Sequence, residues 1–376
     1  MTLHAVDDIG DAIDATKSFV LPFELGTWLR LAFVVFFIGG GGGTGGVQNL
    51  SNLGDMGGGG GGGGTGGSGG FGATAPLESL PAVTDGLARL TLPGGLLQTG
   101  GPGPGLPPGA AEALAGFGLL TLLVVVLVVV ALVVVFAVLG ALMEFVFVQS
   151  LVDREVHVRR YARDHLGNGL RLLGFRIVVG LAMLVVFGGL ALALFLAVLG
   201  GSATDLGASV ILGSFGLFVL LLVVAAVVGG TINGFTNVFV VPLMVDDDDG
   251  VVASWQRLLD SLTDHPKQYL AYLALSVVLG IGVGIVGAVL GVVAAIVLLI
   301  PFGGLALVFW FALGQGLLAG VLAGISLAAF ALVLLVVANL IKAPLLAFLR
   351  YYAMLVLGDI DADLDPIPEV RADVRG

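Results

Sequence analysis

The sequence predicts an all-α fold, a polytopic transmembrane helix bundle of about six spans with amphipathic interfacial helices beside it. Composition is the first observation: 58% of residues are hydrophobic and 11% charged, where soluble chains carry about a quarter charged residues. Length is the second, because several stretches exceed the roughly 20 apolar residues that cross a bilayer. Charge placement is the third. Six crossings with both termini on one side leave every Lys and Arg except Arg89 on that side, and the positive-inside rule makes that side the cytoplasm.

Taken in order, residues 1–38 hold an amphipathic helix and the first span. Leu3, Val6, Ile9 and Ile13 recur at helical spacing among Asp7, Asp8, Asp11 and Asp14. The acidic start lacks the basic region of a cleavable leader, so the span from Leu25 is expected to be retained. Arg30 stands early in it, where a long cationic side chain can reach the headgroups. Residues 39–112 are rich in Gly and Pro, with a run of glycines after Met56. Such a tract buries too little apolar surface to offset chain entropy and is expected to form a disordered extracellular loop. Its sequon at Asn49 is a candidate glycosylation site.

Residues 113–357 are expected to form a five-span bundle. The second span, from Ala113 to about Val148, is too long for one crossing unless it tilts or projects. A basic helical segment follows, carrying Arg154, Arg159, Arg160, Arg163, Arg171 and Arg176. Spans three and four, near Ile177–Gly200 and Ser209–Phe239, are joined by a short hairpin without cations. After Pro242 the run Asp246–Asp249 leads into an amphipathic helix with Val251, Val252, Trp255, Leu258, Leu259 and Leu262 on one side; tryptophan in such a place anchors the headgroup layer. The fifth span, from Tyr269, is expected to stop at Pro301. A short turn or re-entrant piece, Leu305–Leu313, then precedes the sixth, near Gly316–Leu340. An interfacial helix, Pro344–Leu357, and an acidic cytoplasmic tail, 358–376, complete the chain.

The absence of cysteine excludes disulfides, thiolate metal sites and Cys nucleophiles. No phosphate-binding loop, HExxH or GxSxG pattern occurs, and no cofactor or metal is expected. The net charge of −11 comes mostly from Asp, with Lys17, Lys267 and Lys342 the only lysines; that balance suits high salt, where screening is strong.

Polar groups inside spans are costly and are the first place to look for function. The candidate intramembrane polar site is Glu144, Asn233, Asn237, Gln315 and Asn339. Glu144 either accepts a proton or cation or pairs with Arg30 or a residue of the basic segment; the amides either line a route or bind helix to helix. The six arginines of the basic segment either hold anionic lipid or only set topology. Four adjacent aspartates lack the spacing of a calcium loop and read as a solvated helix start.

Three stretches, LPFELGTWLRLAFVVFF, FVVPLMVDDDDGVVASWQRLLDSLTDHPKQYLAY and APLLAFLRYYAMLVLGDIDADLDPIPE, together resemble an uncharacterised haloarchaeal family of multi-pass membrane proteins. That family is distantly similar to the membrane domain of glycerophosphodiester phosphodiesterases. The resemblance covers most of the helical chain, implies a salt-adapted source and assigns no functional residue. The expectation is a non-enzymatic protein of the cytoplasmic membrane that organises or scaffolds it, with lipids as partners, no nucleic acid, a homo-oligomer possible and no other protein partner named by the sequence. The alternative is a small-solute transporter.

Overall fold

The computed structural model describes residues 4–40, 110–200, 208–247, 250–314 and 316–376. The expectations for the Gly-rich tract, Asn49 and Gln315 lie outside them. The chain divides into two compact units, Gly60–Ala131 and Met1–Gly59 with Leu132–Gly376. In the first, residues 120–131 are exposed and, Thr121 apart, apolar.

Among the described residues every regular element is helical: α1 (His4–Val20), α2 (Leu25–Gly40), α3 (Ala110–Asp153), α4 (Val158–Asp164), α5 (Leu166–Met183) continued by a π-turn into α6 (Gly189–Gly200), α7 (Ala208–Phe235) continued by the π-turn Thr236–Val240 into α8 (Val241–Asp247), α9 (Val251–Asp264), α10 (Pro266–Ala312), α11 (Leu317–Ile360), a 3-10 turn (Ala362–Leu364) and α12 (Pro368–Arg375). Five helical stretches are long and apolar enough to cross a membrane, and a sixth crossing arises if α1 and α2, bent by 120°, count together.

Side-chain exposure divides the long helices into two zones. Residues 281–300 of α10 and 317–336 of α11 expose most of their large apolar side chains, as do 212–228 of α7. In water that surface would be costly; facing lipid it is what a span requires. Other parts of the helices are buried: Ala141–Val148, Val238–Met244 and Tyr351–Leu357 are among the least exposed residues of the chain, and α10 adds Tyr269, Tyr272, Ser276 and Gly280. At 1.5 Å per residue, α10 with 47 residues runs about 70 Å, more than twice the ~30 Å hydrocarbon core. The surplus length builds a helical junction at one end of the spans.

Aromatic rings tie this junction together. Phe239 packs against Tyr272 at 4.9 Å between centroids, Tyr272 stacks on Tyr352 at 5.7 Å, and Tyr351 meets Phe19 of α1 edge-on at 6.2 Å. Such contacts contribute about 0.5–1.5 kcal/mol each beyond area burial.

Several boundaries differ from expectation. Pro301 does not end the fifth helix, and α10 runs through it to Ala312 without a re-entrant piece. Likewise α11 passes through Pro344, so Pro344–Leu357 is the buried end of a spanning helix rather than a separate interfacial one. A proline costs a helix one hydrogen bond, which packing between neighbouring helices can offset; α11 packs against α10 here, with Ser326 donating to the Phe302 carbonyl at 2.7 Å. The tail is ordered too, with Leu364, Ile367 and Val370 buried. In α1 the buried face is Asp8, Ala12, Ala15 and Phe19, packed on the bundle, while Ile13 is exposed. In α9 Val251, Ser254, Leu258 and Ser261 face the protein; Val252 and Leu259 point away from it.

Candidate functional site

Glu144 and Arg350 form an ion pair deep in the junction, with side chains 2% and 0% exposed. Arg350 also donates to the backbone carbonyl of Asn237, and Arg176 donates to the Asn237 side-chain oxygen at 2.6 Å. Four helical segments thus contribute one polar group each: Glu144 from α3, Arg176 from α5, Asn237 from the π-turn and Arg350 from α11. Phe145, Phe239, Leu243 and Tyr351 belong to the core around them.

The π-turn explains why an Asn237 carbonyl is free to accept. Its wider turn sends the Val241 N–H back five residues to the Thr236 carbonyl. The same register would pair Asn237 with residue 242, which is proline and has no N–H. Arg350 supplies the missing donor. Thr236 fixes the turn from its side chain, donating to Ile232 at 2.6 Å and accepting from the Trp255 indole at 3.2 Å. Trp255, expected in the headgroup layer, is thereby half-buried against the π-turn and Phe175.

The remaining candidate amides do not join this cluster. Asn233 and Asn339 donate to the carbonyls of their own helices at Gly229 and Leu335, 2.9 and 2.8 Å away. The sequence offers Glu144 either as an acceptor of a proton or cation or as a partner of Arg30 or the basic segment; its partner is Arg350, which the sequence places in an interfacial helix. The one available signal was a lone arginine within an otherwise apolar run after Pro344.

The six arginines of the basic segment separate into two sets. Arg176 is in the polar cluster, Arg171 donates to Asn168 at 3.2 Å, and Arg154 pairs with Asp373 at 2.8 Å. Arg154 has φ of 55°, a left-handed conformation that turns the chain sharply after α3. Arg159, Arg160 and Arg163 line a groove of ≈ 700 Å³ with Arg30, Val156, His157, Val158 and Asp164. Arg30 reaches it from α2 and donates to the Val156 carbonyl at 3.3 Å. Tyr161, on α4, is buried: burial, with Asp153 beside it, pushes the phenol pKa up and keeps the hydroxyl a donor.

A second ionic cluster ties the ends of the chain together. Arg375 of α12 meets Asp8 and Asp11 of α1, both at 2.7 Å, and Asp359 of α11 at 2.8 Å. Arg371 pairs with Asp359 and Asp365. Gly358 makes room for it, since a Cβ there would run into the Arg371 guanidinium and the Asp365 carboxyl. Burial raises the Asp365 pKa and lowers that of Arg371.

No curated protein and no solved structure matches the chain. A family of unknown function, DUF7544, matches residues 3–367. A match over that much of the sequence identifies the chain as a member of the DUF7544 family.

Proposed function

We propose that this protein is a non-enzymatic scaffold of the cytoplasmic membrane, with its junction and both termini on the cytoplasmic side. The observation that carries this reading is the internal pairing of Glu144. The carboxylate faces Arg350 rather than an open route, and the cluster sets two guanidinium groups against one carboxylate. A transported cation would meet repulsion there. Nearly every arginine of the described chain lies in or beside the junction, which supports its cytoplasmic placement by the positive-inside rule. The Asp-rich, Lys-poor composition supports a salt-adapted, haloarchaeal source, and the likeness to the membrane domain of glycerophosphodiester phosphodiesterases belongs to the same reading.

The test is reconstitution of the full chain into vesicles loaded with indicators for protons, sodium and small organic solutes. Wild-type protein is expected to add no flux over protein-free vesicles. Flux that appears with wild-type protein and collapses in Glu144→Gln would overturn the scaffold in favour of a transporter.

A further inference from the structure

The groove beside α4 has a chemistry that the scaffold reading leaves unused, and we infer that it binds the phosphate of an anionic glycerophospholipid headgroup. Four arginines from two separate parts of the chain, Arg30 on α2 and Arg159, Arg160 and Arg163 on α4, converge on one concavity. Among the described residues Arg159 and Arg163 make no ion pair. Arg160 has only Asp164, with closest atoms 3.9 Å apart, and His157 has Glu155 at 3.4 Å. Elsewhere the arginines of this junction are spent on carboxylates and amides; here the guanidinium groups outnumber the carboxylates and point into open space. Guanidinium forks match phosphate oxygens in geometry and charge.

Position selects a lipid over a soluble phosphate. Arg30 is followed at once by the apolar run Leu31–Ile38 of α2, and α3 passes from apolar residues to Asp153 just before the groove. A phosphate held there has acyl or alkyl chains alongside the exposed apolar faces of the spans. Asp164 in the lining, and Glu155 next to His157, can accept from a headgroup that bears hydroxyls.

This inference rests on the membrane placement within the scaffold reading, and its test is separate from flux. Purified full-length protein in detergent is titrated with short-chain phosphatidylglycerol, with phosphatidylcholine of the same chain length and with inorganic phosphate. Phosphatidylglycerol is expected to bind tightest. Removing three surface cations, each worth about fivefold in affinity, in Arg159→Gln/Arg160→Gln/Arg163→Gln should weaken it on the order of 100-fold. These side chains are exposed, so the melting temperature should stay at the wild-type value. Lys267→Gln/Lys342→Gln, which removes cations outside the groove, should change affinity by no more than a few-fold. The inference is overturned if the triple variant binds like wild type, if the lysine variant loses as much, or if inorganic phosphate binds as tightly as the lipid. None of these results would create solute flux, so the scaffold reading would stand or fall on its own assay.

Discussion

Replacing Arg350 by methionine removes the cation that faces Glu144 and the donor that satisfies the Asn237 carbonyl, at a site closed to solvent. Breaking one side of a buried pair costs about 3–5 kcal/mol. The orphaned carbonyl contributes to that figure, since an unmatched buried acceptor costs about 1–3 kcal/mol. Glu144→Met leaves Arg350 uncompensated and should cost a similar amount. The double variant, Glu144→Met/Arg350→Met, exchanges the pair for apolar side chains but still leaves the Asn237 carbonyl without its donor, so it should lie about 1–3 kcal/mol below wild type, well short of the summed single losses. Thermal unfolding in detergent, followed by tryptophan fluorescence, reads this directly because Trp255 contacts the π-turn through Thr236. Each single variant should melt on the order of 10 °C lower, and the double variant only a few degrees lower. If the double variant loses the sum of the two single losses, the residues do not act as a pair and the reasoning fails.

Three further outcomes follow from the ionic cluster at the chain ends. Gly358→Ala should displace the Arg371 guanidinium and Asp365, costing about 1–3 kcal/mol; limited proteolysis should then release α12 faster than in wild type. Arg375→Ala removes the cation shared by Asp8, Asp11 and Asp359. Arg375 is 36% exposed, so the loss should be only about 1–2 kcal/mol, and hydrogen exchange should speed up in α1 rather than in α10. Asp365 has a raised pKa in the folded protein, first because it is buried. Its protonated form is therefore bound more favourably by the folded state, an advantage complete below the unfolded-state pKa and lost as pH rises through the folded one. Unfolding midpoints of wild type minus Asp365→Asn should accordingly fall as pH rises through that window, and a flat difference would contradict the assigned shift.

Much of this architecture is legible in the sequence, for a physical reason. Apolar stretches of bilayer length have few fates other than spanning, so five of the crossings and the helical class follow from hydropathy. Prolines misled the boundaries: Pro301 and Pro344 read as stops, whereas helices packed side by side tolerate them. That same error hid Arg350, because a residue placed in a surface helix is not sought as the partner of a buried carboxylate 206 positions earlier. Pairing across such a distance leaves no trace in local periodicity. The basic segment shows the complementary limit. Six arginines close in sequence look alike, yet α4 turns three of them into a groove while α5 carries Arg176 into the core. Asn237 was singled out as a polar residue within a span, but its part depends on Pro242 five positions later and on a π-turn that periodicity at 3.6 residues does not register.

The central claim is that the polar groups of the spans are sealed inside the protein and do not line a path for solute. The chain contains no cysteine, so single cysteines can be introduced without background. The decisive measurement places one at Ala347, buried on α11 one turn from Arg350, and one at exposed Asp373 as a control, in reconstituted vesicles treated with a small membrane-impermeant thiol reagent. The control should react, and Ala347→Cys should be protected whichever face the reagent reaches. Rapid labelling of Ala347→Cys from either face, in protein that melts like wild type, would contradict the central claim, because water and solutes would then reach the Glu144–Arg350 pair.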